Sequence, residues 1–243
     1  MKMTSTKSVA QQWIKGLLFG KSGEGKTSTA LTLDPKTTLI LSAESGLLPL
    51  RHQEFTVWEL ESWQDVMDAY VKLLDPKVAA QFNTVFIDSL TEINELAKEQ
   101  IVKKDRPALG VSMGKQYDDL MTQQDWGLLS TRMTRMIRAY RDLPFNVIFT
   151  CLEDTVKDEK TGAITVVPSI NGKLAQNIAG YFDEVFRMVK RTEGDKESRY
   201  FVTSAEGAIT KDRSGSLARI EQANWTTVYG KIFNTDKPKA KAA

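Results

Sequence analysis

The sequence is poor in the residues that build several common kinds of site. Its 243 residues include one cysteine, Cys151, and one histidine, His52. A disulfide framework needs paired cysteines, and zinc sites usually need several Cys and His ligands, so both are unexpected here. The chain also lacks a run of about 18 apolar residues, so no membrane span is expected. Residues 1–12 are polar and lack a signal-peptide core, which makes a reducing cytoplasm the expected compartment.

An excess of charge of one sign is also missing. The chain carries 33 Lys and Arg residues against 31 Asp and Glu residues, a net charge of +2. A DNA-binding surface, if there is one, would therefore have to be a local patch. Hydrophobic residues make up 41% of the chain, which is ordinary for a globular protein, and the length suits one large α/β domain or two small ones.

A glycine-rich motif lies near the start of the chain. Residues 20–27 read GKSGEGKT between an apolar run and a short helical segment, which completes the pattern G-x-x-x-x-G-K-[ST]. In such a loop, backbone N–H groups surround a polyphosphate, the lysine reaches the β- and γ-phosphates, and the Thr hydroxyl binds Mg²⁺. The alternative is an ordinary glycine turn that caps a helix. The motif predicts an ATP/ADP site with Mg²⁺ made by Gly20, Lys21, Ser22, Gly23, Glu24, Gly25, Lys26, Thr27 and Ser28.

The pattern of apolar residues predicts the fold class. Five strands are predicted, and helices alternate with them: 13–19, 37–43, 55–60, 84–89 and 145–150. This alternation favours a parallel sheet with helices on both faces. After Cys151 the pattern predicts a hairpin at 155–170, two strands at 184–191 and 199–204, and a last helix at 223–233. One domain over 13–233 is expected, between a flexible lead (1–12) and a basic disordered tail (234–243).

Two acidic residues end predicted strands. Asp88 ends an apolar strand after the glycine loop, as expected for a carboxylate that holds Mg²⁺, although an Asp that caps the following helix is the alternative. Glu44 also follows a buried strand, where the strand ends of an open parallel sheet face the ligand. A glutamate there can act as general base toward water, and a solvated turn residue is the alternative.

These residues resemble the RecA-type core ATPases. Ala43-Glu44 matches the family's strand ending in its catalytic glutamate, Asp88-Ser89 matches its metal-side strand, and residues 147–150 match the strand before its second DNA loop. Lys211-Asp212-Arg213 resembles a basic pair that the family supplies across a subunit interface. The resemblance implies a RecA-like P-loop NTPase core: a mainly parallel central sheet flanked by helices, with a C-terminal β-hairpin extension. It also implies ATP hydrolysis, with Glu44, Lys26, Lys211 and Arg213 as catalytic residues.

More closely, the chain resembles phage-encoded ATPases that consist of the RecA core alone. The segment QDWG at 124–127, the Leu143-Pro144 pair and the segment KDRSG at 211–215 are shared features. This resemblance implies an ATPase that assembles on single-stranded DNA and promotes annealing and recombination. It also implies that DNA stimulates the ATP hydrolysis and that the protein works in the host cytoplasm. The implied partners are single-stranded DNA, further copies of the chain in a ring or filament, and a single-strand-binding protein.

Basic residues supply the candidate DNA contacts. By position in a RecA core, the first DNA loop would carry Lys103, Lys104 and Arg106, and the second would carry Lys157 and Lys160. A solvated surface is the alternative for each of them. A solvated helix face is likewise the simpler interpretation of four arginines at every third position of the longest predicted helix: Arg132, Arg135, Arg138 and Arg141.

The sequence departs from the RecA pattern at the end of the fifth strand. The family has an Asn-Gln pair that senses the γ-phosphate, whereas this chain has Cys151-Leu152, which cannot hydrogen-bond phosphate well. Glu153 or Thr150 are candidate substitutes. The departure favours an alternative function, an ATP-controlled assembly or regulatory protein with slow turnover and no direct role on DNA. A small-molecule phosphotransferase is a third class, in which Glu44 would have no evident use.

Overall fold

The computed structural model of the protein describes residues 13–44, 46–104 and 120–233. In these residues, ten strands form the central sheet. The strands are β1 (Lys15–Gly20), β2 (Thr38–Ser42), β3 (Thr56–Glu59), β4 (Thr84–Asp88), β5 (Asn146–Lys157), β6 (Ile164–Pro168), β7 (Glu184–Glu193), β8 (Lys196–Val202), β9 (Lys211–Asp212) and β10 (Ile220–Gln222). Their order across the sheet is β10-β8-β7-β1-β5-β4-β2-β3, with β6 paired to β5 and β9 paired to β7.

The middle of the sheet is parallel and its additions are antiparallel. β1 pairs in parallel with β5 and β7, and the parallel pairing continues through β4 and β2 to β3. The antiparallel pairs are β5–β6, β7–β8, β7–β9 and β8–β10. The predicted fold class, an α/β core with a mainly parallel sheet and a C-terminal antiparallel extension, is confirmed.

Six α-helices surround the sheet in the described residues: α1 (Trp63–Leu73), α2 (Pro76–Ala79), α3 (Leu90–Glu99), α4 (Gln123–Arg141), α5 (Gly172–Asn177) and α6 (Trp225–Phe233). The three long internal helices begin at side-chain caps, because the hydroxyls of Ser62, Ser89 and Thr122 accept bonds from the N–H three residues later. Short 3₁₀ segments lie at Thr27–Thr32, Leu48–Leu50 and Ile178–Tyr181, and a π-helical turn lies at Gln100–Lys104. None of these helices combines the length and apolar character that a bilayer-spanning segment requires.

Alternate residues of the strands pack into two apolar cores, one on each face of the sheet. Leu17 and Phe19 of β1 point to a core filled by α1, α3 and α4, while Leu18 points to the opposite core. That second core is covered by the Thr27–Thr32 segment and by α6, where Trp225 stacks on Phe186 at 5.7 Å between ring centroids. The helices therefore lie on both faces, as predicted.

The bounds of the predicted strands and of the last helix agree with the structure to within three residues, except at the end of β5. β5 is 12 residues long and runs well past Thr150, because its second half pairs with β6 from Glu153 onward. The predicted hairpin at 155–170 thus begins earlier, as a continuation of β5. β9 and β10 have no counterpart in the sequence-based assignment. The predicted lead (1–12) and tail (234–243) lie outside the described residues, so the domain limits stay a prediction.

Candidate active site

The glycine-rich loop connects β1 to the Thr27–Thr32 segment at the carboxyl end of the parallel strands. Gly23 and Gly25 have φ values of 80° and 92°, in the left-handed region that favours glycine. The Lys26 side chain is folded into its own loop, where its ammonium donates to the carbonyl oxygens of Gly20 and Lys21, both at 2.9 Å. Burial lowers the pKa of Lys26, and the nearby carboxylates of Glu44 and Asp88 oppose that shift.

Asp88 forms the centre of the polar network below the loop. The Thr27 hydroxyl donates to one Asp88 carboxylate oxygen at 2.7 Å, and the Thr150 hydroxyl donates to the other. Asp88 is buried, and this burial raises the pKa of its carboxyl, while the two hydroxyl bonds oppose the rise. The structure thus brings together the two residues predicted to hold a metal, Thr27 and Asp88.

The Thr27 hydroxyl and the Asp88 carboxylate suit a Mg²⁺ ion that is bound together with a nucleotide better than a metal ion whose ligands all come from the protein. In the described part of the chain, no three His, Cys, Asp or Glu side chains cluster in a way that could hold an ion. Mg²⁺ is typically held by one or two protein oxygens together with substrate phosphates and waters. The hydroxyl of Thr27 and the carboxylate of Asp88 are donors of this kind, so the residues present fit a Mg²⁺ ion bound with a nucleotide.

Glu44 lies beside Asp88 because β2 and β4 are neighbours in register. Ser42 pairs with Asp88, and the backbone N–H groups of Ala43 and Glu44 both donate to the Asp88 carbonyl oxygen, at 2.7 and 3.2 Å. The Ser89 hydroxyl donates to the Glu44 carboxylate. The chain therefore turns Glu44 toward the same end of the sheet as Lys26 and Asp88, where the sequence predicted it.

Two arginines on β7 and β8 border the loop, and sequence reasoning missed both. Arg199 donates from Nε to the Glu24 carbonyl oxygen at 3.2 Å and lies against the backbone of Gly25. Arg187 forms a two-pronged ion pair with Glu153, at 2.9 and 3.1 Å. For Arg187, the sequence offered one signal, an arginine within the apolar run at 185–189. Nothing in the sequence, however, shows that β7 lies beside β1.

Lys211 and Arg213 lie far from the loop of their own chain. β9 pairs with the first residues of β7, which are level with the start of β1, whereas the loop follows the end of β1. At about 3.3 Å per residue this offset is roughly 10–17 Å. The Lys211 ammonium donates to the carbonyl oxygens of Ala179 and Phe182, at 2.8 and 2.7 Å. Arg213 donates to the Asp183 carboxylate at 2.6 Å.

The candidate DNA contacts are spread over two regions. Lys157 and Lys160 are exposed near the tip of the β5–β6 hairpin, next to Asp158 and Glu159. Lys103 pairs with Glu99 on the turn that follows α3. The Lys104 side chain and Arg106 lie outside the described residues. On α4, Arg138 lies over the Tyr181 ring and Arg141 pairs with Asp142, as on an ordinary helix surface.

Cys151 is a buried core residue. Its side chain is fully buried, its sulfur lies 3.3 Å from the Thr91 hydroxyl, and burial raises the pKa of the thiol to about 12. A neutral buried thiol is a poor partner for phosphate. The position that the RecA pattern gives to a polar sensor is therefore apolar in this chain.

Comparison with known proteins places the chain in a family. The profile of a family described as "AAA domain" matches residues 12–214. A comparison with proteins of curated function gave no match. Among solved structures, the chain is similar to the KaiC-like protein of the hyperthermophilic archaeon Pyrococcus horikoshii OT3, with 12% identity, a TM-score of 0.38, and coverage of 78% of this chain and 77% of that chain. A TM-score this low supports no conclusion, whereas the family profile spans most of the 243 residues. The chain therefore belongs to the AAA domain family of P-loop ATPases.

Proposed function

We propose that the protein binds Mg-ATP in the loop of residues 20–27 and hydrolyses it with Glu44 as general base. The observation that carries this proposal is the placement of Glu44 and Asp88 on adjacent strand ends, both within electrostatic range of Lys26. A loop that only bound nucleotide would need no second carboxylate at this edge. A carboxylate that faces the terminal phosphate can take the proton of an attacking water.

The residues of the chain have separate tasks in this reaction. Lys26 exchanges its two carbonyl partners for phosphate oxygens, and the backbone N–H groups of the loop hold the polyphosphate. Thr27 and Asp88 would hold Mg²⁺, which when bound neutralises phosphate charge. Thr150 orients the Asp88 carboxylate, and Ser89 orients Glu44 through its hydroxyl.

We propose further that Lys211 and Arg213 complete the site of a neighbouring copy. Their place at the opposite end of the sheet rules out contact with the loop of their own chain, but it suits a head-to-tail assembly in which one end of each copy meets the loop of the next. Heterologous contacts of this kind give rings or filaments. Charge from a neighbouring arginine is worth a factor of 10³–10⁵ in rate in other nucleotide hydrolases.

Mixing two inactive variants tests the shared site. Lys26→Ala loses nucleotide binding, and Lys211→Ala loses the group given to a neighbour together with its hydrogen bonds to the Ala179 and Phe182 carbonyl oxygens. In a mixture of variants that fold, some interfaces pair an intact loop with an intact Lys211, so ATP turnover is expected to return in part. Variants that fold and assemble but show no recovery at any ratio would contradict a shared site.

Single-stranded DNA is the proposed partner of the assembled form. We propose that the assembly promotes annealing of complementary strands, and that it does so during phage recombination. The resemblance to phage-encoded RecA-core ATPases supports it, and so does a projecting hairpin with Lys157 and Lys160 exposed. A single-strand-binding protein would be a natural companion. ATP turnover should rise on addition of single-stranded DNA, and filters should retain DNA in the presence of ATP. Unchanged turnover together with no retained DNA would contradict this role.

A second candidate is an ATP-controlled assembly or regulatory protein with slow turnover. The observation that favours it is the buried, apolar Cys151 at the position of a phosphate sensor. It predicts that ATP changes the oligomeric state, as seen by light scattering, while turnover stays slow with and without DNA.

A further inference from the structure

The ion pair between Arg187 and Glu153 spans the strand that carries the P-loop. Phe19 pairs with Arg187 on one side of β1, and Gly20 pairs with Leu152, the residue before Glu153, on the other side. The two side chains thus meet across the end of β1, where the chain turns into the loop. The guanidinium makes two hydrogen bonds, at 2.9 and 3.1 Å, and the Glu153 side chain is only 8% exposed. A paired, largely desolvated carboxylate of this kind is held firmly.

Electrostatics ties this ion pair to the phosphate site. Burial lowers the pKa of Lys26, and Glu153 is one of the carboxylates whose charge opposes that shift. On the other side, the hydrogen bonds to Glu153 raise the pKa of Arg187, and the charge of Glu24 in the loop adds to the rise. A terminal phosphate bound to Lys26 would therefore repel Glu153 and attract Arg187. Guanidinium groups bind phosphate and carboxylate with the same two-pronged geometry, so the two acids compete for one cation.

Glu153 also lies at the root of the hairpin, the end where β5 and β6 begin to pair. The β5–β6 ladder begins at Glu153, which is paired with Pro168, a residue without an N–H. Farther along β6, Val166 donates to the Gly207 carbonyl oxygen at 2.8 Å and accepts from the Ile209 N–H at 2.9 Å. That segment leads directly into β9 and Lys211. A continuous hydrogen-bonded path therefore joins the edge of the phosphate site to the hairpin and to the segment that carries Lys211.

We propose that Arg187 and Glu153 form a switch that reads the terminal phosphate of ATP. Arg187 binds Glu153 when the loop is empty or holds ADP, and it binds the terminal phosphate when ATP is present, which releases Glu153 and loosens the root of the hairpin. The switch rests on the ATP binding proposed above. It supplies in this chain a polar contact to the nucleotide that Cys151 and Leu152 do not provide.

The test compares the affinity for a non-hydrolysable ATP analogue with the affinity for ADP. The wild type is expected to favour the analogue by about tenfold or more, the worth of one charge-assisted contact. Glu153→Gln removes the competitor, so its preference for the analogue is expected to increase several-fold. The double variant Arg187→Gln/Glu153→Gln keeps the pair neutral and is expected to lose about this tenfold factor of the preference. Arg191→Gln is the matched control, because Arg191 lies on the same strand but stacks on Tyr200.

Amide hydrogen exchange of residues 153–157 and 164–168 gives a second readout. In the wild type these amides are expected to exchange faster with the ATP analogue than with ADP, and in the double variant at the same rate with both. A wild type that binds neither nucleotide would overturn the proposed function and the switch together. If the wild type binds both, and the double variant keeps the wild-type preference or Glu153→Gln leaves it unchanged, the switch alone is wrong. Glu153→Gln is nearly isosteric, so it keeps this test available even if the double variant fails to fold.

Discussion

Gly25→Ala isolates the contact between the P-loop and Arg199. A Cβ atom at this position would lie 2.5 Å from Arg199 Nε and 2.9 Å from its Cδ, closer than atoms can approach. The φ value of 92° adds a second cost, because a left-handed backbone disfavours any residue with a Cβ. Gly23 separates the two effects. Its φ is 80°, and a Cβ there would meet no atom within 4 Å.

The expected loss in unfolding free energy follows from these two effects, the backbone strain and the clash with Arg199. A residue with a Cβ in the left-handed region costs about 1–2 kcal/mol. Displacing Arg199 also breaks its hydrogen bond to the Glu24 carbonyl, a further cost of about 0.5–1.5 kcal/mol. Gly23→Ala should therefore lower the free energy of unfolding by the first amount alone, and Gly25→Ala should lower it by the sum, about 1.5–3.5 kcal/mol.

Urea unfolding of a double-mutant cycle measures the difference. In an Arg199→Ala background the clash is gone, so Gly25→Ala should cost no more than Gly23→Ala does. Titration with a nucleotide should show the same order, since the loop that binds phosphate is the loop being strained. If Gly25→Ala and Arg199→Ala lower stability additively, with no coupling between them, then Arg199 does not pack against the loop and the reasoning is refuted.

Three further predictions concern other parts of the chain. Burial raises the pKa of Glu184 to about 8, and the charge of Asp212 adds to the rise, so the folded state binds this proton more tightly than the unfolded state does. That stabilisation is complete below about pH 4.5 and is lost as the pH rises through 8. Glu184→Gln should therefore flatten the pH dependence of the unfolding free energy measured in urea. At pH 9 the variant should be more stable than the wild type by about 1–3 kcal/mol. Tyr140→Phe removes the buried hydroxyl that donates to the Val66 carbonyl at 2.6 Å and should lower the unfolding free energy by about 1–2 kcal/mol, and an unchanged value would show that this bond adds nothing. The double variant Lys157→Ala/Lys160→Ala should weaken binding of single-stranded DNA and reduce the slope of log affinity against log salt by about one to two, without changing ATP turnover in the absence of DNA; an unchanged slope would remove the hairpin from the DNA path.

Local pattern predicted the parts of the site that are local in sequence. The loop at 20–27 is recognisable because its glycines, lysine and threonine have fixed spacing. Asp88 and Glu44 are recognisable because each follows a buried strand, and parallel strands end at one edge of the sheet. The alternation of strands and helices predicted the sheet and the helices on both faces, because periodicity reports which face of each element is buried.

The remaining contacts depend on strand neighbours that no local pattern shows. Arg199 and Glu24 are 175 positions apart, and they meet only because β7 and β8 extend the sheet beside β1. The pairing of Arg187 with Glu153 needs two registers at once, β1 with β5 and β1 with β7. The trans role of Lys211 stays a prediction, because one chain cannot display an interface.

The central claim is that Glu44 activates the water that attacks ATP, and single-turnover hydrolysis by Glu44→Gln tests it most directly. The variant keeps the size and hydrogen-bonding capacity of the side chain but cannot accept a proton. With Mg-ATP bound to the same extent as in the wild type, as measured by equilibrium titration, the cleavage rate is expected to fall by a factor of about 10²–10⁴. A variant that binds Mg-ATP normally and cleaves it at the wild-type rate would contradict the account.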